Sequence, residues 1–203
     1  MSSDRIVIVD YGMGNLRSVQ KGFERMGFPV KVSSDPEAVA SAGKLVLPGV
    51  GAFGDAMEEL MERKLVEPIL KAIGRGTPFL GICLGLQLLF EESEEGGRHS
   101  GLGVLKGWVR QFPEDLLVPQ IGWNRVHFVR PSPLFSGVPD GAFFYFVHSY
   151  YVDPRDPGDV LARTKYGISY TSAVGRGTVF GVQFHPEKSQ QLGLRILANF
   201  GGM

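Results

Sequence analysis

The chain has 203 residues, 43% of them hydrophobic, enough to bury the core of one domain. Lysine plus arginine and aspartate plus glutamate number 21 each, so the formal net charge is zero, which excludes a general binder of nucleic acid or acidic surfaces while leaving room for a local basic patch. One cysteine excludes an internal disulfide, and no run approaches the roughly 20 apolar residues of a membrane span. Met1 to Asp4 lead directly into a strand-like run without a basic leader, and the expectation is a soluble, cytoplasmic protein with one domain over residues 1–203.

Arg5 to Val9 is a β-branched run, as in a strand covered on both faces. After the loop Asp10-Tyr11-Gly12-Met13-Gly14-Asn15, apolar residues at 16, 19, 23 and 26 predict a helix that Gly27 stops. The two loop glycines invite a dinucleotide-binding reading, but Arg17 stands where that fingerprint needs its third glycine, so a plain tight turn is expected. Val30 and Val32 suggest a second strand and Lys44 to Leu47 a third, ending at Pro48-Gly49-Val50-Gly51. Met57, Leu60, Met61 and Leu65 mark a helix, with Val66, Ile69, Leu70 and Ile73 its continuation or neighbour. Phe79 to Ile82 form a buried strand, with Cys83 at its end and a helix beginning over Leu84 to Phe90. Strands alternating with helices at this pitch predict an α/β fold with a mainly parallel central sheet, flanking helices, and functional loops at the strands' carboxyl ends.

From Glu91 the texture changes. Glu91 to Gly97 is acidic and ends in glycines, as in a solvated connection. Beyond it, residues 104–112, 121–129, 142–151, 160–164, 168–174 and 178–184 read as short strands that extend or flank the first sheet by antiparallel pairing, with Gly175-Arg176-Gly177 a hairpin turn. A last helix is expected from Ser189, as N-cap, to Phe200.

Cys83 lies in Gly81-Ile82-Cys83-Leu84-Gly85, a strand-to-helix turn of the type that exposes a nucleophile: the glycines remove side chains that would collide as the backbone bends. The N–H of Leu84 then points to the same space as an oxyanion donor, and the positive end of the following helix favours a thiolate. Taken alone, the cysteine reads equally as a small buried hydrophobe. A cysteine nucleophile needs a base among His99, His127, His148 and His185, and only His185 has a carboxylate placed to orient it, in Phe184-His185-Pro186-Glu187. By itself that segment reads as a turn; with Cys83 it completes a nucleophile, base and acid.

The Cys83 segment, together with Val182-Gln183-Phe184-His185-Pro186-Glu187-Lys188-Ser189, resembles the two signature segments of class I (triad-type) glutamine amidotransferases, whose flavodoxin-like fold the chain is then expected to share. Pro48 to Phe53 is similar to that family's oxyanion loop, and residues 10–15, 119–124 and 145–150 narrow the likeness toward glutaminase subunits of imidazole glycerol phosphate synthase. The resemblance implies catalytic roles for Cys83, His185 and Glu187 and an oxyanion and substrate site at Gly49, Val50, Gly51, Leu84, Gln87, His148, Ser149 and Tyr150. It implies hydrolysis of glutamine without metal or cofactor, with the ammonia passed to a barrel-type cyclase subunit as heterodimer partner. Asn15, Trp123, Tyr145 and Lys188 fall in segments that the family uses against that partner; otherwise they are a helix cap, two packing aromatics and a solvated lysine. A subunit of another amidotransferase, or a non-catalytic relative on the same fold, are the alternatives. A subunit of pyridoxal phosphate synthesis would carry a Gly-Gly-Glu-Ser oxyanion loop, which residues 48–51 do not match.

Overall fold

A computed structural model describes residues 5–203, and Met1 to Asp4 lie outside the described residues. Ile6–Val9 (β1), Val30–Ser33 (β2), Lys44–Gly49 (β3) and Phe79–Cys83 (β4) are parallel strands, joined by the late strand Val179–Val182 (β13), in the order β2-β1-β3-β4-β13. This is the doubly wound 2-1-3-4-5 order with β13 in fifth place, and it opens loops at the carboxyl ends of β3, β4 and β13 side by side.

β1 is buried at every position because both faces of the sheet are covered. Alternate residues serve opposite layers. Ile6 and Ile8 pack with Phe23 and Phe200 under the helices Leu16–Arg25 (α1) and Gln190–Gly201 (α6), while Val7 and Val9 pack with Phe53, Leu60 and Ile69 under Phe53–Glu62 (α3) and Val66–Gly74 (α4). The apolar stretch after Glu62 is therefore a neighbouring helix, not a continuation: Lys64 takes a positive φ of 57° and turns the chain between them. A short helix, Pro36–Ala40 (α2), capped by the Asp35 side chain, has too few residues to show a period in the sequence.

Two expectations around the cysteine are corrected. The helix after it is a single turn, Leu84–Gln87 (α5), because the carbonyls of Leu88 and Leu89 accept the N–H groups of Leu102 and Leu105 (2.8 and 2.9 Å) rather than continuing a helical ladder. The acidic stretch is not a solvated connection: Phe90–Ser93 (β5) pairs with His99–Ser100 (β6) and, in parallel, with Leu105–Gln111 (β7). Its carboxylates satisfy backbone donors, Glu91 taking the N–H of Gly107 and Glu94 that of Gln111.

The second half is strand-rich as expected: Gln120–Phe128 (β8), Ala142–His148 (β9), Tyr150–Pro154 (β10), Val160–Tyr166 (β11) and Ile168–Arg176 (β12) precede β13. The stretch 142–151 is two strands, since the chain leaves β8 at Ser149 and joins β7 and β12 instead. Arg176 pairs with Val179, so the hairpin loop is Gly177-Thr178, and β13 then runs parallel to β4. Ser189 stands at the start of α6 but its hydroxyl makes no capping bond there. Among the described residues no helix is long and apolar enough to cross a membrane.

Among the glycines the tightest surroundings are at α5, where a Cβ added to Gly85 would lie 1.7 Å from the Leu47 carbonyl oxygen; one added to Gly81 would lie 2.4 Å from the Gly85 carbonyl oxygen. Backbone cannot yield to such overlap. Gly85→Ala is expected to lose at least about 3 kcal/mol in urea unfolding, whereas Gly74→Ala, on a helix with nothing within 4 Å of the added carbon, gains up to about 1 kcal/mol.

Candidate active site

The registers β3–β4 and β4–β13 set Cys83 opposite Gly49 at the carboxyl end of a central strand. Cys83 has φ 55° and ψ −110°, a conformation side-chain-bearing residues rarely hold, imposed by the sharp passage from β4 into α5. The one-turn helix supplies first-turn N–H groups rather than a sizeable dipole, so less support for a thiolate comes from that side than a full helix would give. A different group acts on the sulfur: Gln183, fully buried, donates from Nε2 to Cys83 Sγ at 3.6 Å. The thiol in turn donates to the Val147 carbonyl at 3.8 Å.

β13 delivers the histidine. Beyond Val182 the chain is pinned by Gln183 N–H to the Ser172 carbonyl and by His185 N–H to the Tyr145 carbonyl, each 2.9 Å. Pro186–Lys188 then makes a single 3-10 turn with proline at its first position, which swings Glu187 back under the ring. Glu187 Oε1 lies 2.8 Å from His185 Nδ1, and the two side chains are 1% and 3% exposed. A carboxylate only accepts, so Nδ1 carries the proton and Nε2 is left as the reactive nitrogen; among the described residues Nε2 finds no hydrogen-bond partner. Burial works against the imidazolium, but Cys83 and Glu187 beside the ring outweigh it and hold the His185 pKa above its ordinary value.

A pocket of about 240 Å³ opens over the sulfur. Val50, Gly51, Leu84, Gln87, His148, Ser149 and Tyr150 line it with Cys83, so most residues expected at an oxyanion and substrate site stand together. Gly49, opposite Cys83 in the β3–β4 register, and the buried pair His185 and Glu187, with Cys83 beside the histidine, are not on the pocket wall. Gln87 reaches the pocket with its Nε2 engaged by the Tyr150 carbonyl (3.0 Å) and Gln183 Oε1 (3.2 Å), which leaves its carbonyl oxygen for a ligand. His148 is held between the Tyr150 carbonyl at Nδ1 (2.8 Å) and the Tyr170 hydroxyl at Nε2 (3.2 Å), and Tyr170 also bonds Gln120. Burial pushes His148 down to about 4, so it is neutral at neutral pH.

Glu95 lines the same pocket and accepts the Phe53 N–H at 2.8 Å; burial raises its pKa. In the sequence it is one glutamate among several in an acidic run. Gln183 stands two residues before His185, and its signal is an uncharged polar residue at the end of a buried strand.

Of the four residues set apart for a partner surface, three meet. Trp123 and Tyr145, opposite one another on β8 and β9, pack edge-on with centroids 6.1 Å apart, and Lys188 Nζ lies 5.8 Å from the centre of the Tyr145 ring. Ile121 (63% exposed), Trp123 (46%) and Phe143 (47%) continue an apolar face along both strands. Asn15 caps α1, its Oδ1 accepting the Ser18 N–H. Among the described residues no cluster of His, Cys, Asp and Glu is arranged to hold a metal ion.

A family model described as "Glutamine amidotransferase class-I" matches residues 7–201. The "Imidazole glycerol phosphate synthase subunit HisH" of Syntrophotalea carbinolica is 58% identical over 98% of this chain and 100% of its own length. The protein of the same name in Moorella thermoacetica is 54% identical over 97% and 93%. Among solved structures, a "glutamine amidotransferase" superposes with a TM-score of 0.76 at 22% identity, covering 97% of this chain and 99% of that one. The structure of PurLQS from Thermotoga maritima gives 0.78 at 21% identity over 98% of each chain; at these identities the two structures speak to the fold alone.

The opposed shifts of the two histidines give the stability a direction with pH. Unfolded His148 takes a proton at about 6.5 and the folded residue only at about 4, so its contribution is present above about 6.5 and falls as pH drops toward 4, on the order of 3 kcal/mol for the full range. His185, shifted upward, contributes fully across that range and loses its contribution only as pH rises. Urea unfolding of wild type and His148→Gln between pH 4 and 7 is expected to show the acid-side slope reduced in the variant.

Proposed function

The chain belongs to the class-I glutamine amidotransferases, and from that premise we propose that it is the glutaminase subunit of an imidazole glycerol phosphate synthase, acting in the cytoplasm in histidine biosynthesis as one domain. The observation that carries the chemistry is the buried His185–Glu187 bond of 2.8 Å beside a strained Cys83. Glutamine enters with its carboxamide over Cys83, and the thiolate attacks the carbonyl carbon. The oxyanion is held by the Leu84 N–H and by backbone N–H groups near Val50 and Gly51, each such donor worth about 3 kcal/mol in the transition state. His185 protonates the departing ammonia and a glutamyl thioester remains; water activated by His185 then releases glutamate. Glu187 keeps the imidazole in the required tautomer.

The other end of the substrate carries both charges of an amino acid. Glu95 is the carboxylate on the pocket wall and suits the ammonium, because a partly buried carboxylate gains most from a cation. Backbone groups at Ser149 and Tyr150 hold the substrate carboxylate, and the Gln87 carbonyl oxygen faces its polar atoms.

Ammonia made here passes to a cyclase subunit, which adds it to a phosphoribulosyl-formimino ribonucleotide to give imidazole glycerol phosphate and aminoimidazole carboxamide ribonucleotide. The aromatic face of Trp123, Tyr145 and Phe143, with Lys188 beside it, suits that partner: aromatic side chains beside a cation are typical anchors of a stable interface. Asn15 belongs to the same coupling surface in this reading.

Ammonia release from glutamine, measured with and without the cyclase and its nucleotide ligand, tests the proposal. The isolated chain is expected to hydrolyse glutamine negligibly and the complex to stimulate it strongly; full-rate hydrolysis by the chain alone would sink the coupling. In the complex Cys83→Ala loses activity by at least about a thousandfold and Glu187→Gln by about a hundredfold or more. Retained hydrolysis in Cys83→Ala would reject the nucleophile. Trp123→Ala is expected to weaken cyclase binding by about thirtyfold, measured by titration calorimetry.

A further inference from the structure

We propose that Ser189 is a positioning residue for His185, its buried hydroxyl fastening the His185 turn to β9 and so setting where the imidazole stands against Cys83. The proposal rests on the glutaminase reading of the site. Ser189 is 1% exposed, and its hydroxyl makes two bonds that together exclude a capping role: it donates to the His185 carbonyl at 2.6 Å and accepts the Tyr145 N–H at 2.9 Å. His185 N–H closes the circuit by donating to the Tyr145 carbonyl at 2.9 Å. The histidine's own N–H and C=O are thus both tied to one residue of β9, directly on one side and through Ser189 on the other.

β9 pairs with β8 along one edge only. Tyr145 spends both its backbone groups on the His185–Ser189 turn, so this turn occupies the opposite edge of the strand at that point. The same strand carries the Val147 carbonyl that receives the Cys83 thiol. Nucleophile and base therefore take their relative positions from two carbonyls of β9 two residues apart, and Ser189 is the side chain that holds the base's half of that arrangement. The fit is close: a Cβ on Gly193 would meet the Pro186 carbonyl oxygen at 1.9 Å and Ser189 Cβ at 2.8 Å. Tyr145 also turns its ring to the exposed cluster with Trp123 and Lys188, so a partner that grips this ring pulls on the backbone to which the histidine is fastened.

The experiment uses the complex with the cyclase. Glutamine kcat and KM are measured for wild type, Ser189→Ala and Ser189→Thr, together with thermal midpoints and the pH dependence of Cys83 alkylation by iodoacetamide, Cys83 being the only thiol of this chain. The titratable groups that face the His185 ring are Cys83 from β4, Glu187 from its own turn and His148 from β9. Ser189→Ala is expected to lower kcat about tenfold or more with KM within about twofold, and to move the acid midpoint of alkylation upward by about half a pH unit or more, since a displaced imidazolium stabilises the thiolate less. Ser189→Thr, which keeps the hydroxyl, restores most of both. A Ser189→Ala complex with a lowered thermal midpoint but wild-type kcat and alkylation profile would overturn the proposal and leave the serine a packing residue. Where Ser189→Ala does not fold, the isosteric Ser189→Cys, a weaker donor and acceptor, is read by kcat alone: a partial loss supports the role and a wild-type value overturns it. A wild-type complex that does not hydrolyse glutamine would instead overturn the glutaminase reading and the proposal with it.

Discussion

The contact between Gly85 and the carbonyl of Leu47 is the constraint from which the site follows. It brings α5 against the end of β3 more closely than any side chain at that position permits, and the passage from β4 into α5 can then be made only with Cys83 in a strained backbone conformation. Strain of this kind costs about 1–3 kcal/mol and persists only where the surroundings over-determine it. Here the surroundings are β3 and β13, which hydrogen-bond β4 on both edges, and the two apolar layers that cover the sheet. The same proximity sets the glycine-rich turn after β3 beside the sulfur. The Cys83 turn and the loop that faces it are thus products of one packing decision in the central sheet.

Charge is distributed around the sulfur by burial as much as by pairing. Two histidines face the same region and are driven in opposite directions: His185 upward by the thiol and Glu187, His148 downward by desolvation and by the neighbouring His185. Groups whose environments push their pKa values apart take different tasks. His185 is fitted to hold and return a proton, whereas neutral His148 donates from Nδ1 to the Tyr150 carbonyl with the Tyr170 hydroxyl against its Nε2, which keeps the Ser149 crossover in shape.

The parallel half of the fold was legible because its strands are short apolar runs between helices with a clear 3.6-residue period, and because Gly81 and Gly85 bracket the cysteine at a spacing that only a sharp elbow requires. The pairing of His185 with Glu187 was legible for a related reason, since the bond between them spans two residues and is local. What could not be read was non-local. The stop of α5 after one turn depends on Leu102 and Leu105 returning to the carbonyls of Leu88 and Leu89 just beyond it; Glu95 reaches the pocket through the pairing of β5 with β6 and β7; and Ser189, which has the residue type and place of an N-cap, turns instead to a strand more than forty positions earlier. Of the expected partner residues, Trp123, Tyr145 and Lys188 gather because β8 and β9 pair in a register that places two of them opposite each other. That register is a property of the sheet, with no local trace in either segment.

The solitary cysteine has a further consequence, in redox chemistry. A small peroxide entering the pocket meets the Cys83 sulfur, and the first product, a sulfenic acid, is ordinarily rescued by a nearby thiol that closes a disulfide. This chain has no second cysteine to do so. Recovery of an oxidised Cys83 by disulfide formation must come from a thiol outside the chain, small enough to reach a residue that is only 6% exposed, and without it oxidation proceeds to states from which the thiol does not return.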